Sequence, residues 1–430
     1  MVERAIKEQK IIHALSERLK KAQLKIRILD CIKWDEGIQK KFFKYKGTRL
    51  PEVNAAYYKK HALPFEPAQK KEEFRGVLRD AENQLGEYSP VTRLIKRQCE
   101  EYIQTAYMLK HRGTPMFSAL SKALYGSPDD VFYTSGPKLS EMGGVLFDTL
   151  TALDVQLQSD ADIKRYTAEE ARDILQERLV SFFTHHDKLI TVKVSDGMIA
   201  DAAAGAKSIS LSRHAMFSDR DLKYLEVHEG WVHIGTTLNG DTQPYCSFLA
   251  KGPPSTSVIQ EGLAVLTEVV TFSSNPGRMR KITNRVVALD KINQGADFLD
   301  IYRYFLDCGL SEQNSYQHCV RLFRGSTPDG GAFTKDLSYA KGFILIYNFI
   351  RFAISQHRIE IVPLLFSGKI ILDDIPLLKE LDESDLLQAP MYLPPPFRDL
   401  AALGTWMSMS LFLNKFDLTR IQKDFKFLLR

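Results

Sequence analysis

Apolar residues recur at helical spacing over most of this chain and alternate at strand spacing over one short stretch. Ile6, Ile11, Ile12, Leu15 and Leu19 mark a charged helical arm over residues 1 to about 30. The helical pattern resumes from Pro67 to about Leu124, ends at the turn Gly126-Ser127-Pro128, and returns over Met142–Gln158 and Ala168–Phe183. The period then changes. Leu189–Val194 and Ser208–Ser212 alternate like half-buried strands, with Ser195-Asp196-Gly197 as a turn after the first. Ser208–Ser212 is the candidate edge strand for binding substrate backbone, beside a purely structural role. Ser218-Asp219-Arg220-Asp221 reads as a variant capping box, followed by the apolar stripe Leu222, Leu225, Val227 and Trp231 and a polar stop over Gly235–Gly240. After Pro253-Pro254, a strongly apolar helix is expected over Glu261–Phe272. From Asn284 onward the pattern is helical, broken at Gly325–Asp336 and Leu393-Pro394-Pro395-Pro396. The expectation is an α+β fold, predominantly helical, with a small sheet beside one helix. Soft boundaries divide an N-terminal helical region (1–125), a core (126–360) and a C-terminal helical region (361–430).

Composition narrows the class without naming a chemistry. Hydrophobic residues at 44% and charged residues at 26% describe an ordinary globular protein, and 430 residues suffice for a large core. No window approaches the ~18–20 uninterrupted apolar residues of a membrane span, so no membrane partner is expected. The segment Met1–Lys7 lacks the apolar stretch of a signal peptide. Cys31, Cys99, Cys246, Cys308 and Cys319 are odd in number and form no CxxC pair. They point to a reducing, cytoplasmic setting and away from a cysteine-ligated metal. The net charge of +5 comes from 58 basic and 53 acidic residues, a mixed surface without a nucleic-acid motif, so no nucleic-acid partner is expected.

The chemistry concentrates in His228-Glu229-Gly230-Trp231-Val232-His233 and, further on, Gln260-Glu261-Gly262-Leu263-Ala264. Two histidines flanking a glutamate, with a carboxylate on a later helix, are a ligand set for catalytic zinc plus the acid needed to activate water. The histidines are five apart rather than the four of the familiar zinc-protease signature. On a regular helix that separates them by about 140°, too far for one ion. A π-type turn, bonding five residues back, brings them together, and Gly230 tolerates the distortion. From spacing alone, a metal site and a pair of satisfied core histidines both stay open.

Together with Gly330-Gly331-Ala332-Phe333-Thr334-Lys335-Asp336, these segments resemble the family labelled in bacteria as flavohaemoglobin expression-modulating QEGLA motif proteins. Its animal relatives are the microtubule-associated tyrosine carboxypeptidases, which remove the C-terminal tyrosine of α-tubulin. The resemblance runs from about Tyr45 to the C-terminal helices. It implies a zinc-peptidase-like, gluzincin-like core and one Zn2+ per chain held by His228, His233 and Glu261, with Glu229 as catalytic base. The implied substrate is a peptide or protein C-terminus. The dipeptidyl peptidase III family is similar in the histidine spacing only.

A hydrolase of this kind also needs an oxyanion donor and a cation for the terminal carboxylate. Tyr339 is the candidate for the first; Arg324 and Lys335 are candidates for the second, each equally readable as a solvated loop residue. Glu268, two turns after Glu261, either orients a ligand histidine or, more ordinarily, is a solvated or salt-bridged glutamate. His185-His186-Asp187 reads as a loop rather than a second metal site. The expected function is a zinc-dependent metallopeptidase, specifically a carboxypeptidase. The alternatives are a non-catalytic, metal-containing regulatory protein affecting gene expression and a mononuclear iron(II) enzyme.

Overall fold

Three helical segments run end to end and carry both histidines: Asp219–Leu225, the π-helix Glu226–Ile234, and Gly235–Asp241. The first is closed by the expected capping box, in which Ser218 accepts from the Asp221 amide and Asp221 from the Ser218 amide. The distortion that the five-residue spacing requires is therefore present, over nine residues rather than a single turn. The polar stretch from Gly235 does not end the helix. Thr236 and Thr237 donate back to the carbonyls of Val232 (2.7 Å) and His233 (2.8 Å). Asn239 donates to the carbonyls of Phe366 and Tyr392, both at 2.8 Å. Each buried polar side chain thus finds a partner without leaving helical conformation.

This computed structural model describes residues 2–157, 159–186, 189–196, 198 and 201–425, so Gln158, Asp187 and Gly197 of the expected elements lie outside it. The alternating stretches form a three-stranded sheet in the order β1–β3–β2: β1 (Thr191–Ser195), β2 (Ala202–Ala204) and β3 (Ser208–Ser212). β1 is parallel to β3, pairing Val192 with Ile209, and β2 is antiparallel, pairing Ala203 with Ser210. Ser208–Ser212 is consequently the central strand, not an edge. The edge nearer the histidines is β2, three alanines whose weak strand preference conceals it in the sequence. The buried face of the sheet (Val192, Ile209, Leu211) packs with Leu175 and Leu179 of helix Ala168–Phe182 and with Leu222, Leu225 and Ile234 of the histidine helices.

Gly230 has a packing reason beyond helix distortion. A Cβ there would collide with the Cδ2 of Leu179, itself fully buried. Gly230→Ala is expected to lower stability by about 1–3 kcal/mol through overpacking. A thermal midpoint equal to that of the wild type would show that Leu179 yields freely.

The remainder of the described chain is helical, and several helices start with proline in the first turn, where its missing N–H is not needed: Pro67–Leu85, Pro90–Lys110, Pro115–Tyr125 and Pro276–Asn293. The helix carrying Glu261 is Pro254–Val270, beginning seven residues before the expected start, so Glu261 sits mid-helix and buried. It crosses helix Ser338–Ser355 at Gly262 and Gly342, where a Cβ on either would strike the other helix's backbone. One stretch, Thr334–Ser355, is long and apolar enough to cross a membrane by length and composition, though Lys335, Asp336, Lys341 and Arg351 interrupt it. Its Gly342 face is spent against the Glu261 helix. The largest apolar cluster runs from Ile12, Leu15 and Leu19 of the N-terminal helix Val2–Ala22 through Leu263 and Ile346 to Met407. A second, aromatic cluster gathers Trp34, Phe42, Phe298 and Tyr316.

Candidate active site

The π-segment turns both imidazoles onto one carboxylate. His228 Nε2 lies 3.2 Å and His233 Nε2 3.4 Å from the same oxygen, Oε2 of Glu261. Their rings are 4.8 Å apart and nearly perpendicular. Among the described residues, these three are the one group of histidine, cysteine or acidic side chains whose ligand atoms lie within 4.8 Å of one another. Two imidazole nitrogens and a carboxylate oxygen suit zinc, and they equally suit iron(II).

A second carboxylate stands behind the first imidazole. Glu268 Oε1 meets His228 Nδ1 at 2.6 Å and is fully buried. Arg278 grips Glu268 through Nη2 (3.1 Å) and Nε (3.3 Å), and the Ser274 hydroxyl donates to it at 3.1 Å. The salt-bridged reading of Glu268 holds, with Arg278 as partner, and seven residues after Glu261 it shares that helix face and also bonds the histidine ring. Burial alone would raise its carboxyl, but the Arg278 guanidinium and His228 more than offset this and hold it at about 2. Burial likewise disfavours the charged form of His228, yet Glu261 and Glu268 push it up to about 9. Glu261 is held well below the usual range by Lys335 and both histidines, despite its burial.

Glu229, adjacent to His228, reaches the sheet. Its Oε2 accepts from the Ala204 N–H of β2 at 3.1 Å. Asp201 O and Gly205 N bond to β3, so alternation directs the Ala204 amide away from the sheet and toward this carboxylate.

Two cavities are lined by these residues. The smaller, about 210 Å³, is lined by His228, Glu229, Tyr339 and the cations Arg278, Lys281, Arg285 and Arg321. The larger, about 500 Å³, is lined by Ala204, His233, Gln260, Glu261 and Lys369. Lys369 donates to the His233 carbonyl (2.9 Å), the Thr236 hydroxyl (2.9 Å) and the Gln260 amide oxygen (2.8 Å), tying the end of the π-segment to the Glu261 helix. Burial pushes its ammonium down to about 7.

A family model described as microtubule-associated tyrosine carboxypeptidase matches residues 40–415, which include the whole site. The chain belongs to this family. No curated protein matches it. Membership in the microtubule-associated tyrosine carboxypeptidase family makes the chain a carboxypeptidase-like enzyme, and the remaining site residues can be read in that light.

Tyr339 lines the small cavity, its ring stacked on His228 at 6.1 Å. Burial and the nearby Glu261 push its hydroxyl up, so it keeps its proton. Lys335 is not free in a loop; its ammonium pairs with Glu261 Oε1 at 3.1 Å. Arg324 does not line the cavity. It is buried behind it, with its guanidinium 5.7 Å from the Phe333 ring. Of the cations that do face the cavity, Arg321 lies in the stretch Arg321–Gly325 that the sequence offers for this role, whereas Arg278, Lys281 and Arg285 were missed, although spacing could have found them. Arg278, Lys281 and Arg285 fall at i, i+3 and i+7 of helix Pro276–Asn293, and Asn314, Gln317 and Arg321 repeat that spacing on helix Glu312–Phe323. His186 bonds the Tyr392 hydroxyl at 2.6 Å and, among the described residues, belongs to no cluster that could hold a metal.

Proposed function

We propose that this chain is a zinc-dependent carboxypeptidase with a gluzincin-like core that removes C-terminal residues from peptides or proteins. His228, His233 and Glu261 would hold one zinc ion. What carries the reading is the convergence of two Nε2 atoms on a single Glu261 oxygen, with Glu268 on the outer nitrogen of His228. When bound, zinc supplies Lewis acidity and a water acidified to near neutrality.

Glu229 is the base. It accepts the attacking water's proton and returns it to the leaving amine. Its present partner, the Ala204 amide, belongs to the strand along which a substrate backbone would lie, so peptide and base meet at the same edge. Tyr339 donates its retained proton in a hydrogen bond to the developing oxyanion. The terminal carboxylate enters the small cationic cavity. Arg278 is already committed to Glu268, and Arg321 to Asp336 through two 3.0 Å bonds. Lys281 and Arg285 remain; Arg285 faces Asp336 Oδ2 at 3.5 Å, but among the described residues its buried Nε has no hydrogen-bond partner, and it is the one taken to read the carboxylate.

Incubating the zinc-loaded protein with a C-terminal peptide library, followed by mass spectrometry, tests this. Stepwise loss of C-terminal residues that stops on chelation is the expected result. No release from any peptide would favour a non-catalytic regulatory role, and iron as the bound metal would remove the hydrolytic reading. Arg285→Gln is expected to lower kcat/KM by about 10–100-fold on free-acid peptides, the value of one charged hydrogen bond. Equal losses on C-terminally amidated peptides would argue that Arg285 does not read the carboxylate.

A further inference from the structure

Glu261 has two oxygens with different neighbours. Oε2 faces both histidine Nε2 atoms, whereas Oε1 receives the Lys335 ammonium at 3.1 Å. We infer that Lys335 partitions this carboxylate, holding Oε1 for the protein and leaving only Oε2 for an ion. It also acts as the resident counter-cation while no ion is bound. The inference rests on the metal reading above and extends it to a residue that serves as neither ligand nor base.

The position of Lys335 is over-determined. It lies in the 3-10 turn Thr334–Leu337. On one side, the Thr334 amide donates to Ser121 Oγ at 2.8 Å and its hydroxyl bonds the same atom at 3.1 Å. On the other, buried Asp336 is clamped by Arg321. The turn leads directly into helix Ser338–Ser355, pressed against the Glu261 helix at Gly342 and Gly262. Ammonium and carboxylate therefore sit on two elements with no freedom to slide, and both side chains are largely buried, 19% and 10% exposed. A buried carboxylate without a counter-charge is strongly destabilising. Before an ion arrives, Lys335 on Oε1 meets that need together with the two imidazoles on Oε2; a dication on Oε2 would afterwards take over most of it. An ammonium used in this way is not available to a substrate's terminal carboxylate.

Lys335 should consequently matter more to the metal-free protein than to the loaded one. Thermal midpoints of wild type, Lys335→Met and Lys335→Arg, each stripped with chelator or loaded with zinc, test this. Stripped Lys335→Met is expected to melt about 3–5 °C below stripped wild type, whereas the zinc-loaded pair should differ by about 1 °C or less. Lys335→Arg should restore the stripped value, since it returns the charge. Lys335→Gln, a milder change, should show the same asymmetry at smaller size. Equal losses in both states would make Lys335 merely structural, and no loss in the stripped state would remove its counter-cation role; either overturns the inference while leaving the metal reading intact. A wild-type midpoint indifferent to zinc would overturn both.

Discussion

Replacing Glu229 by Gln should abolish nearly all release of C-terminal residues, a fall of about 10²–10⁴-fold in kcat, with zinc content unchanged. The substitution keeps side-chain length and removes only the ability to take a proton. Glu229 is adjacent to His228 in the chain, and among the described residues its hydrogen-bond partner is the Ala204 amide. Loss of turnover with retained metal would therefore isolate the proton transfer from ion binding. A variant retaining more than about a tenth of wild-type turnover would require a different base. Residual activity alongside loss of metal would instead mean that Glu229 supports the ligand geometry.

Glu268→Gln is expected to weaken zinc binding by about 10–100-fold, measured by competition with a chromophoric chelator. The carboxylate is fully buried between His228 Nδ1 and the Arg278 guanidinium, so removing its charge affects both neighbours. Arg278 loses its ion-pair partner inside the protein, for which about 3–5 kcal/mol of stability is at stake. His228 loses the acceptor that keeps a proton on Nδ1 and leaves Nε2 free to point at Glu261 Oε2. Affinity within twofold of wild type would show that packing against Tyr339 alone fixes the imidazole.

Periodicity and short motifs determined much of this protein. The helices, two of the three strands, the capping box at Ser218 and the need for a π-type distortion between His228 and His233 all follow from neighbours within about seven positions, where chain geometry is local. The grouping of His228, His233 and Glu261 was also legible, because two motifs carry it. Other features depended on which elements meet. Ser208–Ser212 looks like an edge strand until β2, three alanines with little strand preference, pairs outside it. Thr236, Thr237 and Asn239 look like a helix stop until their side chains find carbonyls, two of them on distant segments.

The same division holds within the site. Lys335 and Arg324 are both cations near one glycine-rich loop, and nothing local distinguishes them. Packing sends one to Glu261 and buries the other over Phe333. Glu268 and Arg278 become a histidine support only because a turn after Val270 folds the next helix back beside His228. Sequence by itself decided which side chains gather around Glu261 and the helix distortion, since these depend on covalent spacing. Only the tertiary structure decided which buried charge answers which, because desolvated charges must pair with whatever the fold brings within about 3 Å, regardless of separation along the chain.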